Sequence, residues 1–191
     1  MTKFCSLYIA LTHCPVTNKN GEIIASAVTN LDLHDIARTG RTYGVAAFYV
    51  ITPLTDQKDL VGKIVSHWTS GAGGVYNPFR RQALELIRIS DCIENAMSDI
   101  EKREGKRPCL VATTAEKGRE TLDFQGLREK LTDGAPCLLL FGTAWGMADE
   151  VFQEADHVLT PIDGAGDYNH LSVRCASAII LDRLAGQNQD G

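Results

Sequence analysis

Gly142 and Gly146, four residues apart in "FGTAWGM" (141–147), close the apolar run "CLLLFG". A residue without a Cβ lets the main chain approach a bound group closely, so this loop is suited to holding a ligand against its backbone. A second loop, "ATTAEKG" (112–118), offers the hydroxyls of Thr113 and Thr114, which can hydrogen-bond a ligand or simply cap a turn. The third is "TPIDGAGDYNHLSVR" (160–174). There Pro161 and two glycines lead into a helix start whose free N–H groups fall at Asn169, His170, Leu171 and Ser172. No Gly-Lys-Ser/Thr follows Gly142 and no G-x-G-x-x-G is present, so neither a Walker phosphate loop nor a dinucleotide fingerprint applies.

A different chemistry is suggested by "HWTSGAGGVYNPFRRQAL" (67–84). Glycines make it flexible, Trp68 and Tyr76 can stack on bases, and Arg80 and Arg81 can contact phosphates, although a dimer-packing loop has the same composition. The charge distribution agrees with an anionic partner. Residues 36–88 carry seven basic side chains, including Arg38 and Arg41, against three acids, whereas residues from Glu120 onward carry four against twelve. The whole chain has a net charge of −5, which by itself argues mildly against nucleic acid.

These loops need a frame. With 191 residues, 44% of them hydrophobic, the chain can fill one α/β core, expected over residues 1–186 with a frayed tail at 187–191. The six cysteines are scattered without a C-x-x-C pair and the histidines lack metal-ligand spacing, so reduced thiols and no metal are expected. No apolar stretch is long enough to span a membrane and the N-terminus lacks an export-signal pattern, so a cytoplasmic, membrane-free protein is expected.

Short apolar runs at 4–11, 45–51, 109–114, 137–142 and 157–162 read as strands buried on both faces. Helices are expected after Asn30 as N-cap and ending at Gly44, and over 55–68 with Thr55 or Asp56 as cap. One long helix is expected over 78–104, where Leu86, Ile89, Ile93, Ala96 and Ile100 share a face, with shorter helices at 123–132 and 147–154 and a closing one at 169–184. The alternation implies a mostly parallel sheet with helices on both faces, and in such sheets ligands sit beyond the carboxyl ends of the strands.

The stretch "LLLFGTAWGMADEVFQEADHVLTPIDG…YNHLSVRCASAIILDRL" resembles the C-terminal half of the SPOUT methyltransferases. Their pattern is a strand, a G-[NT]-x-x-G-[LM] loop, "ADxVLxPI", and an Asn/Ser-rich turn opening the last helix. "NLDLHDIARTGRTYGVAAFYVI" from Asn30 resembles their opening motif, and both motifs occur in the right order. The resemblance covers about residues 23–52 and 108–186. It implies an α/β fold with a C-terminal trefoil knot, one of the rare exceptions to unknotted topology. It also implies S-adenosyl-L-methionine held mainly by backbone groups of Thr113, Thr114, Phe141, Gly142, Thr143, Gly146, Leu159, Pro161, Ile162 and the 169–172 turn, with Phe141 and Leu159 as apolar walls. Family members are homodimers that bind tRNA or rRNA across both subunits.

The departures leave the methylated atom open. Thr143-Ala144-Trp145 stands where the ribose-methylating branch carries Asn-Glu after the glycine, and the longer Gly-rich last loop of the guanine-N1 branch is missing. The pattern is most similar to a smaller bacterial SPOUT group known only as RNA methyltransferases.

Arg38 matches the opening-motif arginine. A guanidinium stays protonated and makes a poor base, but it can clamp a phosphate with two hydrogen bonds and so orient the nucleotide. Pairing with Asp35 is the structural alternative. Asn30 can orient the same group, and Asp163 or Asp167 can accept a proton if the acceptor is a base nitrogen, although Asp is equally a turn residue. Two other readings of the chain remain: a knotted RNA-binding or ribosome-assembly factor that binds the cofactor without efficient turnover, and a doubly wound nucleotide-binding regulator.

Overall fold

A computed structural model describes residues 6–166 and 168–186. The chain begins with β1 (Leu7–Thr12), then a hairpin of β2 (Val16–Thr17) and β3 (Ile23–Ile24), and α1 (Asn30–Thr42). Next come β4 (Ala47–Ile51), α2 (Thr55–Thr69), α3 (Ala72–Tyr76), α4 (Pro78–Leu84), β5 (Ile87–Ser90) and α5 (Ile93–Glu104). The remainder is β6 (Cys109–Thr113), α6 (Phe124–Thr132), β7 (Cys137–Gly142), α7 (Asp149–Glu154), β8 (His157–Leu159) and α8 (Val173–Ala185).

Six strands form one parallel sheet in the order β5-β4-β1-β7-β6-β8. The chain moves one way from β1 to β4 and β5, and the other way to β7, β6 and β8. The direction in which strands are added thus switches between β1 and β7, the place where a crevice opens in such parallel sheets. Leu7–Thr12 runs beside Cys137–Gly142 residue for residue, so the two exits lie side by side.

Alternate residues of each strand serve the two faces. Ile9, Leu11, Phe48, Val50, Leu139 and Phe141 pack with Leu33 and Ile36 of α1 and with Ile180, Leu181 and Leu184 of α8. Tyr8, Ala10, Tyr49, Leu138 and Leu140 pack with Ile93, Ala96, Met97 and Ile100 of α5 and with Val151 of α7. The Tyr8 hydroxyl donates to Glu104 and the Tyr49 hydroxyl to Asp99, so α5 is tied to the sheet by polar bonds as well as by burial.

The single helix expected over 78–104 is three elements. Residues 87–90 pair in parallel with 48–51 of β4 and form the edge strand of the sheet, with Ile87 buried and Ile89 exposed. Leu86 and Ile89 fit a helical spacing by coincidence, and strand pairing with β4 wins. Ile93, Ala96 and Ile100 keep the helical face that the spacing predicts, within α5.

The caps also differ. Thr29, not Asn30, caps α1, its hydroxyl accepting from the Asp32 N–H at 3.4 Å. Leu54, with extended backbone and no side-chain cap, precedes α2, so Thr55 and Asp56 lie inside the first turn. The last strand stops at Leu159, short of the expected 162, and α8 starts at Val173 rather than 169. Asp167 and the expected tail at 187–191 lie outside the described residues.

Candidate functional site

A cleft of about 1060 Å³ opens where β6, β7 and β8 leave the sheet. Its walls include residues 113–116 after β6, residues 141–150 after β7, and Ile162 with residues 169–173 after β8. The three loops that sequence singled out therefore meet at one place. A fourth wall comes from the β2–β3 hairpin and the start of α1: Thr17, Ile23, Ser26, Thr29 and Asp32.

The loop after β7 is tightly built. The Gly146 N–H donates to the Thr143 carbonyl at 3.0 Å, closing a turn with Ala144 at φ 53° and Gly146 at φ 110°. Both angles lie in the left-handed region, free to glycine but costly for alanine. At Gly142 a Cβ would lie 2.9 Å from Met147 Cγ and 3.0 Å from its backbone nitrogen, so the close approach requires glycine. Strand β2 clamps this turn: Trp145 N–H donates to the Thr17 carbonyl, and Thr17 N–H to the Gly146 carbonyl.

Beneath the turn runs a chain of hydrogen bonds. Thr143 Oγ1 donates to the Thr12 carbonyl at 2.9 Å and therefore accepts from Ser26 Oγ, 2.6 Å away. Ser26 in turn accepts from His13 Nδ1 at 2.9 Å, which fixes the proton of the imidazole on that nitrogen. His13 is fully buried and its Nε2 has no partner among the described residues. Burial pushes its pKa down to about 4, against the pull of the nearby Asp32 carboxylate, so the ring is neutral at physiological pH.

In the other loops, the Thr113 hydroxyl turns back onto the Leu140 carbonyl, and Thr114 Oγ1 accepts from Glu116 N–H as a turn cap. Asn169 donates to the Ala115 carbonyl at 3.4 Å, joining the third loop to the first. Ser172 caps α8, whose first free N–H groups lie at the cleft. Arg174, in the first turn of α8, holds Asp32 of α1 through Nη1–Oδ1 at 2.6 Å and reaches Asp35 at 3.6 Å.

Of the residues expected to hold a cofactor, Thr113, Thr114, Phe141, Gly142, Thr143, Gly146, Ile162, Asn169, His170, Leu171 and Ser172 line the cleft. Leu159 is in the core behind it and Pro161 is buried beside it, neither among the lining residues. Asp163 is exposed and paired with Lys117 at 2.7 Å, outside the cleft. Asn30 is exposed in the first turn of α1. The hairpin wall with Ser26 and Asp32 was missed by sequence reasoning, because two-residue strands leave no periodic signal.

The basic and aromatic residues gather elsewhere. Arg38 is exposed and makes no ion pair among the described residues, since Asp35 faces Arg174. Beside it His34 stacks edge-on against Trp68, and burial together with the Arg80 and Arg38 charges pushes its pKa down. Arg80 sits over the Trp68 ring at 4.6 Å, so that ring face is occupied. Arg81 pairs with Glu85, Arg41 is exposed, and Tyr76 projects into solvent at 89% exposure beside Val75 and Phe79. Among the described residues no His, Cys, Asp and Glu side chains gather as a metal site, and no helix is long and apolar enough to cross a membrane.

Comparison with known proteins agrees with this geometry. A tRNA (guanine-N(1)-)-methyltransferase from Oleidesulfovibrio alaskensis is 46% identical over 95% of this chain, but the chain spans only 42% of that protein. A protein from Aquifex aeolicus without an assigned function is 39% identical, with 96% of this chain and 90% of its own length covered. Among solved structures, the SpoU methyltransferase AviRb from Streptomyces viridochromogenes with bound AdoMet superposes with a TM-score of 0.57 at 15% identity, covering 100% of this chain and 61% of that one. The A. aeolicus TrmH/SpoU tRNA modifying enzyme gives 0.56 at 19%, covering 99% and 78%. A family model described as SAM-dependent RNA methyltransferase matches residues 6–186. The chain belongs to the SAM-dependent RNA methyltransferase family.

Proposed function

We propose that this chain binds S-adenosylmethionine in the cleft and transfers its methyl group to an RNA, with tRNA the first substrate to test and rRNA the second. The observation that carries this reading is the convergence of the three strand-exit loops on one cleft around the Gly142–Met147 turn. Drug-sized ligands occupy clefts of roughly 300–1,000 Å³, so this one takes the cofactor and part of a second reactant.

The residues present fit the group. The backbone of 142–147 can read an adenine edge, Ile162 and Leu171 supply apolar contact, and the first N–H groups of α8 suit the carboxylate of the methionine moiety. When bound, the sulfonium supplies an activated methyl. The protein's task is to align the acceptor in line with it and to receive the acceptor's proton.

The exposed Arg38 and Arg41, with exposed Tyr76, are assigned to the RNA, guanidinium groups for phosphates and the tyrosine ring for a base, while half-buried Arg80 stays stacked on Trp68. Substrate identity at the level of guanine N1 rests only on the name of relatives more than twice as long as this chain. The trefoil threading belongs to the proposal too. It is supported by the described residues that follow edge strand β8: Asn169 contacts the loop after β6 at Ala115, and α8 packs back on α1. A homodimer, with exposed Leu31, Trp145, Tyr168 and Leu171 near the cleft available for burial, and a cytoplasmic location complete it.

Isothermal calorimetry with S-adenosylmethionine tests the assignment of the cleft. Binding in the micromolar range that is lost in Gly142→Leu, where a side chain would meet Met147, supports it. Failure to bind at millimolar ligand removes it. Sedimentation of the purified protein tests the dimer.

A further inference from the structure

Asp32 is a carboxylate in the first turn of α1, only 7% exposed, and it lines the cleft. Arg174 occupies its Oδ1, while Oδ2 makes no hydrogen bond with any described residue. Oδ2 is not among the buried unpaired side-chain atoms, so this oxygen of a nearly buried carboxylate opens onto the cleft, free to meet a bound reactant. The neighbouring wall is equally one-sided. The Thr143 proton is committed to the Thr12 carbonyl, the Ser26 proton to Thr143, and the His13 Nδ1 proton to Ser26. Ser26 and Thr143 therefore present only lone pairs to the cleft, beside the free oxygen of Asp32. Apart from the Thr29 hydroxyl, which accepts from the Asp32 N–H and keeps its own proton, these side chains offer acceptors and so favour a partner that brings protons.

We propose that the wall formed by the β2–β3 hairpin and the start of α1 is the subsite for the methyl acceptor, and that Asp32 is the group that receives its proton. This deepens the methyltransferase reading and rests on it. In the step, the lone pair of the acceptor nitrogen or oxygen forms a bond to the methyl carbon. The carbon–sulfur bond breaks with its electron pair remaining on sulfur, which becomes a neutral thioether. The proton of the acceptor N–H or O–H passes to Asp32 Oδ2 and on to solvent. Arg174 is a positioning residue: its bond to Oδ1 fixes the carboxylate and leaves Oδ2 turned to the reactant. Asp163, paired with Lys117 outside the cleft, has no such position.

The subsite takes an acceptor that carries a proton, either a nucleobase N–H or a ribose 2′-hydroxyl. The test is single-turnover transfer of tritiated methyl from S-adenosylmethionine to total RNA from cells lacking this protein, with the labelled nucleosides identified by mass spectrometry. Base-labelled and ribose-labelled products distinguish the two sources of the proton. Asp32→Asn keeps an oxygen for Arg174 and removes the proton acceptor. It should leave cofactor affinity within about threefold and lower the rate by about 100-fold or more, the range for losing a general base.

A rate within about threefold of wild type overturns the assignment alone. Absence of turnover in the wild type overturns both the methyltransferase reading and this assignment. Should Asp32→Asn be too unstable to assay, Arg174→Met breaks the same tie while keeping the carboxylate. It should lower the rate by about 10- to 100-fold, the scale of losing a positioning contact, with cofactor affinity within about threefold, and Arg174→Lys, which still donates to Oδ1, should recover most of that loss. A wild-type rate in Arg174→Met, or no recovery in Arg174→Lys, overturns the assignment.

Discussion

Ser26 Oγ lies 2.6 Å from Thr143 Oγ1, a bond that joins the β2–β3 hairpin to the cofactor-side turn across 117 residues of chain. It is the middle link between a buried imidazole and the carbonyl that ends β1. The hairpin wall and the Gly142–Met147 turn are thereby one rigid unit.

Ser26→Ala removes that link and leaves the Nδ1–H of the buried His13 without its acceptor. Stability should fall by about 1–3 kcal/mol, the scale for an orphaned buried polar group. Cofactor affinity should fall about tenfold as the turn loosens. Denaturant unfolding and calorimetry on the same protein check both. Unchanged values in each would mean that the hairpin and the turn are held independently.

His13 makes stability depend on pH. Burial holds its imidazole near pH 4 in the folded protein against the ordinary 6.5. Between these values the unfolded chain binds the additional proton, so stability is fully present above pH 6.5 and declines as the pH falls toward 4. The gap corresponds to roughly 3 kcal/mol. The midpoint of thermal unfolding should drop over this window in the wild type and much less in His13→Asn, whose amide can still donate to Ser26. Parallel curves for the two proteins would show that the imidazole is not the group responsible.

Ala144 occupies left-handed backbone at φ 53° in the turn that closes on Gly146. Ala144→Gly should relieve a cost of about 1 kcal/mol and raise the unfolding midpoint, with cofactor affinity changed by less than about threefold. A lower midpoint would place the strain elsewhere.

Arg38 separates RNA positioning from cofactor binding. It lies on the α1 face beside His34 and Arg80, away from the cleft lining, and makes no ion pair among the described residues. Arg38→Ala should bind S-adenosylmethionine within a few-fold of wild type, yet methylate RNA roughly 100-fold more slowly, as for the loss of a positioning contact. Arg38→Lys should recover little, because a point charge does not reproduce the planar fork. Wild-type methylation by Arg38→Ala, or unfolding of the protein, would make the residue structural.

What the sequence disclosed follows from where each signal lies. Strands such as Cys137–Gly142 are buried on both faces and read as unbroken apolar runs, and each is followed directly by its small-residue loop, so three walls of the cleft were legible locally. The fourth wall was not. Val16–Thr17 and Ile23–Ile24 are too short to show a period, and Asp32 reads as an ordinary acidic first-turn residue until Arg174, 142 positions away, is brought against it. Strand β5 was hidden because Leu86, Ile89 and Ile93 satisfy helical spacing, and only the pairing with β4 reveals a strand. Thr29 rather than Asn30 caps α1, although Asn is the stronger capping residue of the two neighbours.

Transfer of tritiated methyl from S-adenosylmethionine to total RNA by the purified wild-type protein is the most direct measurement of all. The label should appear in ribonuclease-sensitive material and resolve on digestion into one methylated nucleoside. Cofactor bound in the cleft with no label in any RNA would contradict enzymatic methylation and leave a cofactor-binding RNA protein without turnover.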